Sequence, residues 1–416
     1  MLLFPAGQIS WSISDRTLVS RARGEAAISI ALLFLLCLVP TGAAAQSMKL
    51  LSPQAGWLAS GNSLYWTNNG GDDWTDITPI PLRDRFGKAR LHSTFFRNIS
   101  EGWAIVSHRE LEPVAPPTPQ ALAPLKTLYT VAHTVNGGAS WSIVPLTFPK
   151  LPQWIQDAFG GPADLFFLNS LRGWLDVTFA GLSRPGKLLA TEDGGKTWKW
   201  INSPGFSGPF TFASLRDAWL LGYFGGDKLY VTHDGCKSWQ EVSFSPPPDV
   251  EATIYPIFQG VPIFQDQQKG YLVVNYYSGP PGTLSKLVVY STVDRGKTWR
   301  PAKTLAAPHE VSMSYRYPFA MVDSTIIVST TSSPANIRVG SVPLNGGSSD
   351  VSASDRGIIG LTFADTANGW VLSTENGLLA THDGGATWKH IGPPRVPRLP
   401  GWTAPGQTGP KPNATR

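Results

Sequence analysis

Thr191-Glu192-Asp193-Gly194-Gly195-Lys196-Thr197-Trp198 is the stretch that decides the fold of this chain. Its chemistry is that of a hairpin turn. An Asp or Asn oxygen at the third position is expected to accept from backbone N–H groups two residues onward, as in an Asx turn. The glycines supply positive φ without a Cβ clash. The Thr hydroxyl closes the loop from the other side, and the final Trp lays a large ring against a sheet. The pattern recurs at Thr67–Trp74, Thr134–Trp141, Thr232–Trp239, Thr292–Trp299 and Thr381–Trp388, six copies in all. Ordinary usage gives a chance match about once in 10⁵ positions. The copies are repeats.

Turn geometry accounts for Asn69, Asn136, Asp193, Asp234, Asp294 and Asp383, and for the closing Trp74, Trp141, Trp198, Trp239, Trp299 and Trp388. Side-chain oxygens held by local backbone bonds do no acid–base work, so these residues are read as structural.

A second pattern runs alongside. An aromatic residue is followed seven positions later by Trp or a substitute, at Phe96/Trp103, Phe167/Trp174, Phe212/Trp219, Phe264/Tyr271 and Phe363/Trp370. Leu50/Trp57 is a weaker first copy, and Phe319/Ile326 a degenerate one in the long gap between octapeptides. The second anchors are 46, 71, 45, 52, 55 and 44 residues apart. Seven units near this length match four-stranded propeller blades. The last unit reads plainly, with strands over Ile358–Phe363, Gly369–Ser373, Leu378–Thr381 and Thr387–Ile391. The expected fold is all-β, a seven-bladed β-propeller of four-stranded antiparallel blades over residues 46–392.

Composition agrees. Of 416 residues, 15% are charged and 42% hydrophobic, with 16 Trp, 42 Gly and 36 Pro, as short strands and tight turns require. At the N-terminus, Arg16, Arg21 and Arg23 precede an apolar run from Ala26 to Val39 and then Ala43-Ala44-Ala45. This is the form of a signal peptide over 1–45, cleaved after Ala45, with an uncleaved anchor as the alternative. The run is short for a bilayer span, so no stable span is expected after cleavage. The expected location is periplasmic or extracellular. Taking three Arg and two acids from 34 and 29 leaves 31 basic and 27 acidic side chains, too mild a surplus for nucleic acid. Cys37 lies in the signal, which leaves Cys236 alone and no internal disulfide. Cys236 occupies an octapeptide position that varies, and its presence there is read as incidental.

Strand alternation puts the one–two turns and the octapeptide turns on one face, and the two–three and four–one connections on the other. The length variation, at 110–126, 145–164, 243–261, 276–286 and 301–318, falls on this second face, where binding is expected. Arg83, Arg85, Lys88 and Arg90 form the densest positive cluster there, suited to an acidic protein or an anionic headgroup. The Pro- and Gly-rich tail, 393–416, is expected to be disordered. The string Ala190–Thr197 imitates a phosphate loop but sits in a hairpin rather than between strand and helix. His233 and His382 occupy the free second position of their octapeptides and are expected in solvent. No metal-spaced His motif occurs, and no cofactor is expected.

The six octapeptides resemble the Asp-box (BNR) repeats shared by sialidases, some endoglucanases, sortilin-type receptors and photosystem II assembly factors. Joined to the Phe-x6-Trp rhythm over roughly 48–391, they look most like the photosystem II stability and assembly factor family and its bacterial relatives. That resemblance implies a monomeric, non-catalytic scaffold holding a protein partner. The alternative is a glycoside hydrolase of sialidase-like or endoglucanase-like type, acting on a glycan. Arg316-Tyr317-Pro318 resembles a sialidase motif but follows the fifth octapeptide. Glycosidase chemistry needs two carboxyls on one cleft; Asp176 and Glu310 are available acids, and nothing in the sequence pairs them.

Overall fold

A computed structural model of the chain describes residues 47–79, 89–111, 125–150, 158–181, 184–222, 228–244, 246–248, 250, 256–277, 285–307, 319–329, 337–344, 358–373 and 376–392. The chain divides into units of 1–43 and 44–416, and all described residues belong to the second. The expected signal peptide, the tail, Arg83, Arg85, Lys88, Glu310 and Arg316-Tyr317-Pro318 lie outside the described residues.

Seven antiparallel sheets follow one another along the chain. We number them as blades 1 (47–76), 2 (90–145), 3 (159–200), 4 (210–242), 5 (256–307), 6 (319–343) and 7 (358–390). Blade 7 has strands Ile358–Phe363, Gly369–Ser373, Gly377–Thr381 and Lys389–His390, close to the sequence reading. Blade 5 differs in that its first strand is broken into Pro256–Phe258 and Ile263–Phe264. Blade 6 shows three strands among the described residues.

First strands lie against one another between blades 2 and 3, 3 and 4, 6 and 7, and 7 and 1, and line the axis. Each of the seven seams holds its own apolar cluster, which makes the sheets a ring. Trp103 and Ile105 of blade 2 meet Phe167 and Val177 of blade 3, for example, and the seams between the other blades repeat the arrangement. The ring closes where Leu50 and Leu58 of blade 1 pack on Trp370, Leu372 and Leu378 of blade 7. Trp74 lies 5.4 Å from Trp370, whose indole N–H donates to Gly70 O at 3.1 Å. Every blade is continuous in sequence, so side-chain packing closes the ring without a shared strand.

The Phe-x6-Trp rhythm is the code for these seams. Trp103 of blade 2 stacks on Phe167 of blade 3 at 3.8 Å and 4°, and Trp174 of blade 3 on Phe212 of blade 4 at 3.6 Å and 12°. The glycine before each Trp is equally constrained. A Cβ at Gly102, Gly173 or Gly369 would lie 2.5 Å from its own blade's Phe ring. Blade 6 breaks the register. Its tight turn has Asp323 at φ 50 and pairs Val322 with Thr325. Ile326 therefore joins the blade 5 side, and Ile327 takes the side that Trp occupies elsewhere. The expected pair Phe319/Ile326 is corrected: the shorter turn shifts the anchor by one residue, which in a strand reverses the face.

Both predicted turns lie on one face, joined by hydrogen bonds. The fourth octapeptide residue donates its N–H to the same blade's one–two turn, as in Gly70 to Gln54 O at 2.8 Å, Gly137 to Ser100 O at 2.7 Å and Gly194 to Leu171 O at 3.0 Å. We call this the locked face. On the opposite face, much of the expected loop length is strand. The second and third strands of blade 2, Gly102–Leu111 and Leu125–Thr134, have 10 residues each, and those of blade 5 have 8.

The fourth and fifth octapeptide residues take positive φ, and Arg295 adopts 66° where other copies have Gly. Arg295→Gly is expected to stabilise the protein by about 1 kcal/mol, because the left-handed conformation costs an L-residue that much. The urea midpoint at unchanged m-value checks this.

Candidate functional site

The locked face is built from two interlocked turns per blade. In blade 3, the Thr191 hydroxyl donates to Asp193 Oδ1 at 2.8 Å and accepts from Gly195 N–H at 2.9 Å. Asp193 Oδ1 also accepts from Lys196 N–H at 3.0 Å and Thr197 N–H at 2.9 Å. The Asx oxygen therefore reaches three and four residues onward, where two were expected, because the fourth and fifth residues both turn left-handed and bring later amides over it. Asn69 and Asn136 do the same with an amide oxygen. Burial alone would raise Asp193, but hydrogen bonds from Thr197, Thr191 and Lys196 outweigh it and hold the carboxyl at about 2. Asp294 and Asp383 also stand at about 2, and Asp234 is held well below the usual range by Ser238 and its neighbours. These acids stay ionised and occupied. Of the closing tryptophans only Trp198 is fully buried; Trp239 reaches across to donate to Asn202 O at 3.1 Å.

The one–two turns carry a repeated device that sequence reading missed. Two residues after the first anchor stands Ser52, Asn98, Asn169, Ser214, Asp266 or Asp365, and each accepts from backbone N–H groups two or three residues onward. The signal was present as an Asx or Ser at a fixed offset from Phe. The residue before the Gly-Trp pair then couples the two turns. Arg172 bridges Glu192 at 2.7 Å, Asp217 takes His233 Nδ1 at 2.8 Å, and Asn368 takes His382 Nδ1 at 2.8 Å. His382 is exposed as expected, whereas His233 is half-buried against Asp217. Glu101 accepts from Arg97, His133 and Ser170, the last in blade 3. Cys236 is not incidental either. It is buried at φ 68 in a glycine's place, and burial, with Asp234 beside it, pushes its thiol up to about 12.

Beside these polar contacts the turn tips carry exposed apolar side chains. The five most exposed large hydrophobic side chains among the described residues are Val293 (70%), Val135 (67%), Leu171 (58%), Ile99 (52%) and Leu215 (51%). Ile99, Leu171 and Leu215 are one–two turn residues, and Val135 and Val293 fill the second octapeptide position. All five belong to the locked face, on the consecutive blades 2 to 5.

The remaining candidates stand elsewhere. Arg90 begins the first strand of blade 2, exposed and on the face opposite the locked one. Burial, with Arg90 nearby, lowers the adjacent His92 to about 4, and its Nε2 lies 2.7 Å from Ser107 Oγ. Asp176, unpaired in the sequence reading, has a partner: it lies directly opposite Asp164 in the sheet. Burial raises Asp176 to about 7, with the Asp164 charge adding to it, and raises Asp164 to about 6. Asp176 is fully buried, whereas Asp164 is half-buried. Among the described residues no three His, Cys, Asp or Glu side chains are placed to hold a metal ion.

No protein-family model matches the sequence, and no curated protein matches it. Solved structures similar to it include YCF48 bound to D1 peptide, 18% identical over 84% of this chain and 81% of that one, with a TM-score of 0.41. YCF48 from Cyanidioschyzon merolae is 15% identical over 85% and 88%, TM-score 0.38. The GH74 enzyme of Niastella koreensis is 14% identical over 84% of this chain and 55% of its own, TM-score 0.42. The likeness is one of fold alone.

Proposed function

We propose that this chain is an exported, monomeric, non-catalytic propeller that holds a protein partner. One observation carries the reading: a face built of hydrogen-bonded turns presents Ile99, Val135, Leu171, Leu215 and Val293 to solvent on four successive blades. Pre-ordered turns lose little entropy on association, and exposed aliphatic groups on them favour an apolar protein surface. The catalytic alternative lacks support of this kind, since the octapeptide acids are engaged and Asp176 is enclosed.

The test is capture of partners from the host's cell envelope by the tagged chain, beside two variants. Leu171→Ser/Leu215→Ser removes two side chains that are more than half exposed and is expected to leave the fold intact. Arg83→Glu/Arg85→Glu/Arg90→Glu reverses the basic stretch that the sequence reading offers for binding. Loss of a specific protein with the first variant supports the reading. Loss with the second alone moves the binding face to the basic loop. Retention by both, or glycan hydrolysis by the wild type, overturns the proposal.

A further inference from the structure

Asp164 and Asp176 face each other on the first and second strands of blade 3, on the side that carries Phe166 and Trp174 toward blade 4. Asp176 Oδ2 accepts from the Ser207 hydroxyl and, at 3.1 Å, from Gly208 N–H; its Oδ1 is buried with no partner. Among the described residues, Asp164 Oδ1 accepts from its neighbour, Leu165 N–H, at 2.8 Å, and neither carboxyl is paired with a cation. Leu188 of the third strand and Phe210 and Phe212 of blade 4 are apolar. Lys187 belongs to the other side of the sheet, 5.8 Å over Trp200. Arg184 and Tyr230 flank the covering segment, where Arg184 O accepts Ser207 N–H at 2.9 Å and Tyr230 lies against Phe206.

That covering segment, 205–209, is a strap across the seam. Gly186 N–H donates to Gly205 O at 3.0 Å, Pro185 pairs with Phe206, and Leu221 N–H donates to Pro209 O at 2.9 Å. There is no slack in it. A Cβ at Gly186 would stand 2.5 Å from Ser207, and one at Gly208 only 1.9 Å from Leu221 O. A fit this close at Ser207 and Gly208 does not relax gradually around a new charge.

We propose that Asp164 and Asp176 hold one proton between them, and that its loss lifts the strap from the seam between blades 3 and 4. Two ionised carboxylates opposed on one sheet face repel and need water; Asp164 is half-buried, whereas Asp176 is fully buried beneath Ser207 and Gly208. The burial that raises both acids sets the range in which the pair titrates, as a coupled unit. A carboxyl with a raised folded-state pKa contributes stability below its unfolded value of 3.8, and that contribution is lost as pH rises through the folded value. The strap is therefore seated at pH 5 and lifted at pH 8.

Amide hydrogen exchange of the full chain at Ser207 and Gly208, corrected for the intrinsic pH dependence of exchange, reads this directly. Protection should fall at least tenfold from pH 5 to pH 8 in the wild type. In Asp176→Asn, whose amide oxygen still accepts from Ser207, protection should stay constant. Asp164→Asn, which removes the like charge and leaves the strap contacts untouched, should behave similarly and serves should the first variant fail to fold. Equal wild-type protection at the two pH values, or the same fall in the neutral variants, overturns the proposal.

Discussion

Trp103→Ala is expected to lower the unfolding free energy by about 4 kcal/mol, the range for a large aromatic removed from a sealed core. The ring is fully buried and lies between two others, Phe167 at 3.8 Å and His133 at 4.6 Å, both nearly parallel to it. Its indole N–H donates to Gly194 O at 3.1 Å, so it also ties blade 2 to the octapeptide turn of blade 3. Alanine leaves a cavity in the seam, and Gly102 and Gly173, closed in by the Phe96 and Phe167 rings, limit how far the sheets can collapse into it. Trp239→Ala is the control, because that ring is only partly covered. Its cost should stay near 1 kcal/mol. Urea midpoints at constant m-value distinguish the two; equal effects would mean that the seam stack does not hold the blades together.

Thr191→Val is expected to cost about 2–3 kcal/mol although the side chain keeps its shape. The hydroxyl accepts from Gly195 N–H and donates to Asp193 Oδ1, and both Thr191 and Gly195 are buried. Valine leaves that amide without a partner where water does not reach it. Asp193→Asn should cost under about 1 kcal/mol, since Asn69 and Asn136 run the same turn with an amide oxygen. Geometry, not charge, is then what the position requires. A large loss in Asp193→Asn with little in Thr191→Val would reverse that assignment.

The architecture was legible because both signals behind it are local. The octapeptide encodes its own turn, and Phe-x6-Trp encodes a hairpin plus one contact to each neighbouring blade. Blade 6 was misread at Phe319 because its first turn leaves two residues between the paired Val322 and Thr325 where blade 2 leaves five between Phe96 and Gly102, and an odd difference leaves hydropathy unchanged while reversing the faces. Cys236 was read as free variation because φ is invisible in a sequence. Asp164 went unnoticed as the partner of Asp176 because their pairing depends on strand register twelve residues apart, and Ser207 on a further strap that no motif announces. The apolar tips were hidden by a sound general rule. Long loops usually bind, yet here the short turns carry the exposed aliphatic residues, and only accessibility distinguishes Leu171 or Leu215 from a core leucine.

The claim on which the rest depends is that the octapeptide turns are locked into the ring rather than resting on its surface. Native-state hydrogen exchange at Gly71, Gly138, Gly195, Cys236, Gly296 and Gly385, the six buried amides that donate to a Thr hydroxyl, tests it most directly. Opening free energies for these amides close to that of global unfolding are predicted. Exchange at the rate of an ordinary surface turn, with the strands protected, would contradict the account.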